Sequence, residues 1–210
     1  MSDPIVIFRG TSGLNTVADP ARIPIANNAI SDVAELVNMR IDQYNRPSKR
    51  VGQTVKSEGK FHSLYCDNGD CFVAKDNATS TSIYKVNNDG SLLEIVSNLA
   101  LNNHVAFKQF SNTKTYYTNK IQNGIIIDGV SNSWVVGDYY GPPTDRSFSI
   151  PTGMNHLEIH SGRMFASVGN VLWWSELFRF DLFDISRSLI QFHTNITMIK
   201  SVSGGLYIST

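Results

Sequence analysis

The sequence has little charge, only two cysteines and no long apolar run. Charged residues make up 17% of its 210 residues, with 18 Lys and Arg against 18 Asp and Glu, where an ordinary domain has ~25%. A net charge of zero gives no long-range pull toward nucleic acid or an anionic membrane surface. Two cysteines are too few for a disulfide framework or a four-cysteine zinc site. No stretch approaches the ~20 apolar residues of a membrane-crossing helix. The opening Met1–Gly10 has no basic region leading into an apolar run, so no secretory leader is expected. A soluble product made in a reducing cytoplasm follows as the expectation.

Motifs of catalysis are also missing. No serine stands in Gly-x-Ser-x-Gly or Ser-x-x-Lys. Gly10-Thr11-Ser12-Gly13 lacks the lysine and spacing of a phosphate loop. Asp89-Gly90 and Asp128-Gly129 read as turns, because a calcium loop needs alternating oxygen ligands and a closing Glu. Cys66 and Cys71 flank a four-residue turn, too local to complete a metal shell with Asp67 and Asp70. They face each other across a hairpin on a non-hydrogen-bonded pair within disulfide range; in a reducing cytoplasm a packed, reduced pair is expected, with conditional disulfide formation as the alternative. No catalytic residue, cofactor or metal ligand is assigned, and the chain is not read as an enzyme.

What fills the space is uncharged and polar. Asn, Ser, Thr and Gly supply a third of the residues, beside 41% hydrophobic and 10% aromatic ones, enough apolar surface for a packed core. The grammar changes near residue 60, dividing the chain into 1–60 and 61–210. Residues 1–28 read as irregular, with Pro4, Pro20 and Pro24 as breakers and residues 10–13 as turn formers. Ser31 or Asp32 could cap a helical turn through Val33, Ala34 and Leu36. Val37, Met39 and Ile41 then alternate with Asn38, Arg40 and Asp42 as a strand, with a turn over 42–47 and a return at Arg50-Val51-Gly52.

From Phe61 onward short strands alternate with turn signals. Asn68-Gly69 supplies the positive φ of a type I′ hairpin. Strands are expected at 64–66, 71–73, 83–86, 92–96, 104–110, 115–118, 124–128, 133–136, 157–160, 163–167, 171–175 and 189–192. A weak repeat runs beneath them. Phe61-His62-Ser63-Leu64, Asn103-His104-Val105-Ala106 and Asn155-His156-Leu157-Glu158 each open a similar unit, and the spacings fit four-stranded propeller blades. A fourth unit opens at Thr197-Met198-Ile199-Lys200 and turns at Ser203-Gly204-Gly205. The fold class expected is all-β: a partial β-propeller of short antiparallel strands with an irregular N-terminal arm, with a β-sandwich as the alternative. The propeller would be cut short at its C-terminal end.

The recurring histidines are expected to cap or pack rather than to catalyse. His156 and His160 fall on one side of a strand. Arg40, Arg46, Lys49, Arg50, Lys56 and Lys60 form the one local excess of charge, either a solvated face or a contact for DNA or an acidic partner. Trp173 and Trp174 point to opposite faces of a strand, which marks one ring for a surface or interface.

Val37-Asn38-Met39-Arg40-Ile41-Asp42, followed by Arg46 and Arg50-Val51-Gly52-Gln53-Thr54, resembles the start of the short-tailed phage tail hub or nozzle proteins, which include the packaged-DNA stabilisation proteins. Val51-Gly52 stands where that family has Pro-Gly or a similar pair. Ser161-Gly162-Arg163-Met164-Phe165-Ala166, Val171-Leu172-Trp173-Trp174-Ser175-Glu176 and Phe180-Asp181-Leu182-Phe183 are similar to one of its blades, and Val202–Ile208 to the next. The resemblance implies a virion structural protein, made in the host cytoplasm. Its partners would be further copies of itself in a ring, usually of six, with the portal adaptor, other tail proteins and DNA passing through the channel, and it would not insert in a membrane. The reading from another class is a β-propeller binding module for a glycan or receptor, through exposed aromatics such as Trp173 or Tyr140.

Overall fold

A computed structural model describes residues 55–210 except 68, 112, 143 and 144, together with four short strands nearer the N-terminus. The chain divides into two compact units, Met1–Val55 and Lys56–Thr210. The division falls a few residues before the expected 60/61 boundary. Lys56 belongs to the second unit because its side chain lies against the turn at Gly90, where a Cβ would sit 3.0 Å from the Lys56 Cγ.

In the first unit β1 (Thr11–Leu14) pairs in parallel with β2 (Ser31–Val33), and β3 (Met39–Ile41) pairs antiparallel with β4 (Pro47–Lys49). β3 falls within the strand expected at 37–41, but its antiparallel partner is β4 at 47–49, earlier than the return expected at Arg50-Val51-Gly52, whose residues lie outside the described ones. Two expectations are corrected. Residues 11–13, read as a turn, lie in a strand, and Ser31–Val33, read as a helix start, forms the strand opposite. Thr11 and Val33 are β-branched and lose little in an extended ladder. The remainder of the expected irregular arm lies outside the described residues.

The second unit is all-β, with no helix among its described residues. Its first sheet is a meander of β5 (Lys60–Asp67), β6 (Asp70–Asp76), β7 (Thr81–Val86) and β8 (Leu92–Leu99). The second comprises β9 (Ala106–Ser111), β10 (Lys114–Thr118), β11 (Asn123–Ile127) and β12 (Val130–Ser133). The third runs β13 (His156–His160), β14 (Arg163–Val168), β15 (Val171–Glu176) and β16 (Arg179–Phe183), with β17 (Leu189–Gln191) also on β15. A hairpin of β18 (Met198–Val202) and β19 (Gly205–Ser209) follows. Each sheet uses strands consecutive in sequence, and the first strands β5, β9, β13 and β18 lie side by side in that order. The result is an all-β row of antiparallel sheets with no closed barrel among the described residues, compatible with the blades of a partial β-propeller.

Burial explains the sequence pattern. The second sheet is covered on both faces, so its strands carry consecutive apolar residues rather than an alternation. Tyr117 and Ile126 face the core shared with the first sheet, beside Phe72, Ile83 and Phe107. Tyr116 and Ile125, one residue earlier on each strand, face the core shared with the third sheet, beside Trp134, Leu157, Met164 and Phe183. A third cluster of Leu172, Ile196 and Ile199 joins the third sheet to the final hairpin.

Turn chemistry sets the registers. Gly69, at φ 89°, turns β5 into β6, and Asp128 with Gly129, at φ 50° and 78°, turn β11 into β12. Because that second turn has only two residues, the return strand begins at Val130, three residues before the strand expected at 133–136. Trp134 is therefore a core residue, whose indole Nε1–H donates to the Phe180 carbonyl at 3.0 Å. Residues 179–183, where no strand was expected, form strand β16.

Cys66 and Cys71 are directly opposed in the β5–β6 register, with Cα atoms 4.1 Å apart, and form a disulfide. The pair is bridged rather than reduced, the alternative that its non-hydrogen-bonded cross-strand position allows, because that position brings the two Cα atoms close enough to bridge. The closed loop is short, so the stabilisation is at most about 2 kcal/mol on a loop-entropy estimate. Equilibrium unfolding with and without a dithiol should differ by no more than this, and the Cys66→Ser/Cys71→Ser double variant should retain the meander.

Candidate functional site

The first strands of the four blade-like units meet along one face, and the polar residues with the longest reach gather there. Lys108 is the third residue of β9, Glu158 the third of β13 and Lys200 the third of β18. The Glu158 carboxylate is almost wholly buried and pairs with Lys108 through Oε1 and with Lys200 through Oε2, the latter at 3.6 Å. Burial alone would raise its pKa. The Lys108 hydrogen bond and charge, the Ile159 N–H at 3.0 Å and Lys200 together outweigh it and hold the carboxyl below its usual range. Glu158 is thereby an anion that ties three units together.

Two further ties follow the same face. The Tyr65 hydroxyl on β5 accepts the Gln109 N–H of β9 at 2.9 Å and donates to Asp67 Oδ2 at 3.1 Å. Burial first, then the Asp67 carboxylate, pushes the phenol up to about 12, so it stays protonated. His160 Nδ1 on β13 shares a hydrogen bond of 3.0 Å with Ser201 Oγ on β18.

At the start of the strands stand the recurring histidines. His62 is bonded to Ser63 Oγ at 2.7 Å and to Asp76 at 3.2 Å. Ser63 Oγ also accepts the Val105 N–H at 2.9 Å, joining the first and second units. His156 contacts Ser167 Oγ at 2.8 Å, its cross-strand partner. His104 and His156 are held below the usual imidazole value, first by burial and then by the preceding histidine in the row (His62 and His104 respectively) and Lys120. A cavity of about 210 Å³ opens beside them, lined by Tyr65, His104, Phe107, His156, Leu157 and Ile199. All four units contribute to it. The histidines thus pack and bridge, as their recurrence suggested.

The residues singled out from sequence are more scattered. Arg40 and Lys49 lie on β3 and β4, where the register sets Arg40 against Ser48 and Lys49 against Met39. Arg46 and Arg50 lie outside the described residues. Lys56 and Lys60 are exposed, in the second unit. Trp173 and Trp174 are both half-buried, and Trp173 packs on the core between the second and third sheets. Tyr140 is 89% exposed. With Tyr139, Phe148 and Arg146 it borders a recess of about 490 Å³, in which the Arg146 guanidinium lies 5.5 Å from the Tyr139 ring centre.

The Lys108–Glu158–Lys200 tie was not found from sequence. Its signal is there once the strands are aligned, since the three residues hold the same place in successive first strands. No family model, curated protein or solved structure matches this chain.

Proposed function

We propose that this chain is a virion structural protein of a short-tailed phage tail, a hub or nozzle subunit that assembles with further copies below the portal and adaptor. In that place it would retain DNA before ejection and conduct it during ejection. The observation that carries the reading is the row of consecutive antiparallel meanders, two of them four-stranded, which suits the architecture that the sequence resemblance implies. Buried ionic and hydrogen-bonded ties between first strands suit a part that must stay rigid under load. Large apolar side chains left exposed on the strands and turns, among them Leu64, Leu93, Phe178 and Tyr207, suit permanent packing against neighbours.

The basic residues between 40 and 60 are the part of this reading that meets DNA or an acidic neighbour. Reversing the charge of Arg46, Lys49 and Arg50 together is expected to reduce DNA retention in assembled particles while the second unit still folds. Full retention would remove that role. Assembly itself is read by negative-stain microscopy of the purified chain together with its portal and adaptor. Closed rings of a few copies support the proposal, and a monodisperse monomer that never joins the complex counts against it.

The exposed Tyr140 beside Tyr139, Phe148 and Arg146 favours a second reading, a propeller-like module that binds a glycan or receptor. A monomer that binds a glycan array and loses binding on Tyr140→Ala would bring that reading forward.

A further inference from the structure

We infer that the groove between the second and third sheets is a binding site for an amphiphilic anion, a single apolar chain or ring system ending in one carboxylate. The groove measures about 540 Å³, within the size range of small-ligand sites. Tyr116, Ile125 and Phe180 form its buried floor, and Phe110, Ile127 and Phe178 its exposed rim. A rim of exposed aromatic and aliphatic side chains in one depression differs from singly scattered surface hydrophobics, which carry no message.

The charges select the sign of the ligand. Arg179 is already committed: its Nε and Nη2 donate to Asp181 at 3.1 and 3.0 Å, and Nη2 also donates to the Asp138 carbonyl at 2.9 Å. Gly137 allows this clamp, because a Cβ there would collide with the Asp181 carboxylate. Among the described residues Lys114 has only the Tyr116 phenol and ring as its neighbour, with no carboxylate in direct contact. Its Nζ lies 5.2 Å from the Tyr116 ring centre and makes no ion pair among the described residues, although its charge helps to keep Asp181 ionised. An ammonium group over an apolar floor favours a carboxylate whose apolar body can fill the groove below it. A cationic amphiphile of the same length would meet Lys114 as a like charge.

The test uses dodecanoate as the probe, titrated below its micelle concentration into the full chain by calorimetry. One saturable site is expected. Lys114→Gln should weaken it about tenfold, a loss of about 1.4 kcal/mol, and Val135→Glu, which puts a carboxylate on the lining, should weaken it at least as much. Dodecyltrimethylammonium should bind at least tenfold more weakly. In the unmodified protein, methyl NMR should show dodecanoate shifting Ile125 and Ile127 and leaving Ile199 in place, a readout that needs no variant to fold. Absence of saturable binding, equal affinity for the two amphiphiles, or methyl shifts spread over all three clusters would each overturn the inference. None of these results depends on whether the chain assembles into a ring.

Discussion

Replacing Glu158 with alanine is expected to destabilise the Lys56–Thr210 unit by about 3–5 kcal/mol, the usual cost of breaking one side of a buried ion pair. The carboxylate is buried and serves two cations on neighbouring first strands. Its loss leaves Lys108 half-buried without an anion. The urea midpoint should fall steeply while the spectroscopic signature of the folded unit is unchanged. Replacing Glu158 and Lys108 together by leucine should recover most of the loss, because well-packed apolar groups can stand in for a buried pair. A shift below about 1 kcal/mol for the single variant would show that the tie is solvated and carries little.

The same residues set an acid limit. The pKa of Glu158 is lowered in the folded state, so its contribution is complete above its unfolded value of about 4.3 and is lost as the pH falls through the lower folded value. His104 and His156 are also lowered, so the folded state favours neutral imidazoles. Their contribution is complete above about 6.5 and declines as the pH falls through their folded values. Stability followed by urea unfolding should therefore be flat above pH 7, decline first below about 6.5 and again below about 4.3. His104→Gln should flatten part of the first decline and Glu158→Gln part of the second.

Phe183→Ala is the second substitution with a large expected effect, about 3–5 kcal/mol. Phe183 is fully buried, with its ring centre 6.1 Å from that of Trp134, in the cluster that binds the second sheet to the third. Its truncation removes the transfer energy of the ring and leaves a cavity that a two-faced sheet cannot close. Thermal unfolding is the measurement. Leu93→Ala, at a position more than half exposed, should stay within about 0.5 kcal/mol of the parent.

The β meanders were legible because two-residue turns announce themselves through residues that tolerate positive φ, and Asn68-Gly69 and Asp128-Gly129 did so. Strand β16 was missed because its turn is Leu177-Phe178, with Phe178 at φ 55°. A bulky residue there gives no turn signal in sequence. The alternation of Arg179, Phe180, Asp181 and Leu182 was nonetheless a strand pattern. Ser31–Val33 was misread because three residues are too few to distinguish a capped turn from a strand, and only the partner at Thr11–Leu14 decides it. The recurring histidines were visible as a repeat. The Glu158 tie was not, because a carboxylate among apolar neighbours looks like an ordinary solvent-facing position until the strands on either side supply its lysines. The disulfide was misjudged because the expected compartment was allowed to outweigh the hairpin geometry.

The most direct test of the central claim is peptide mass spectrometry on purified phage particles from the source that carries this gene, with quantification against the portal protein. The account predicts peptides from both units at a few copies per particle, in fixed ratio to the portal. Particles lacking these peptides, with the protein left soluble in the lysate, would contradict it.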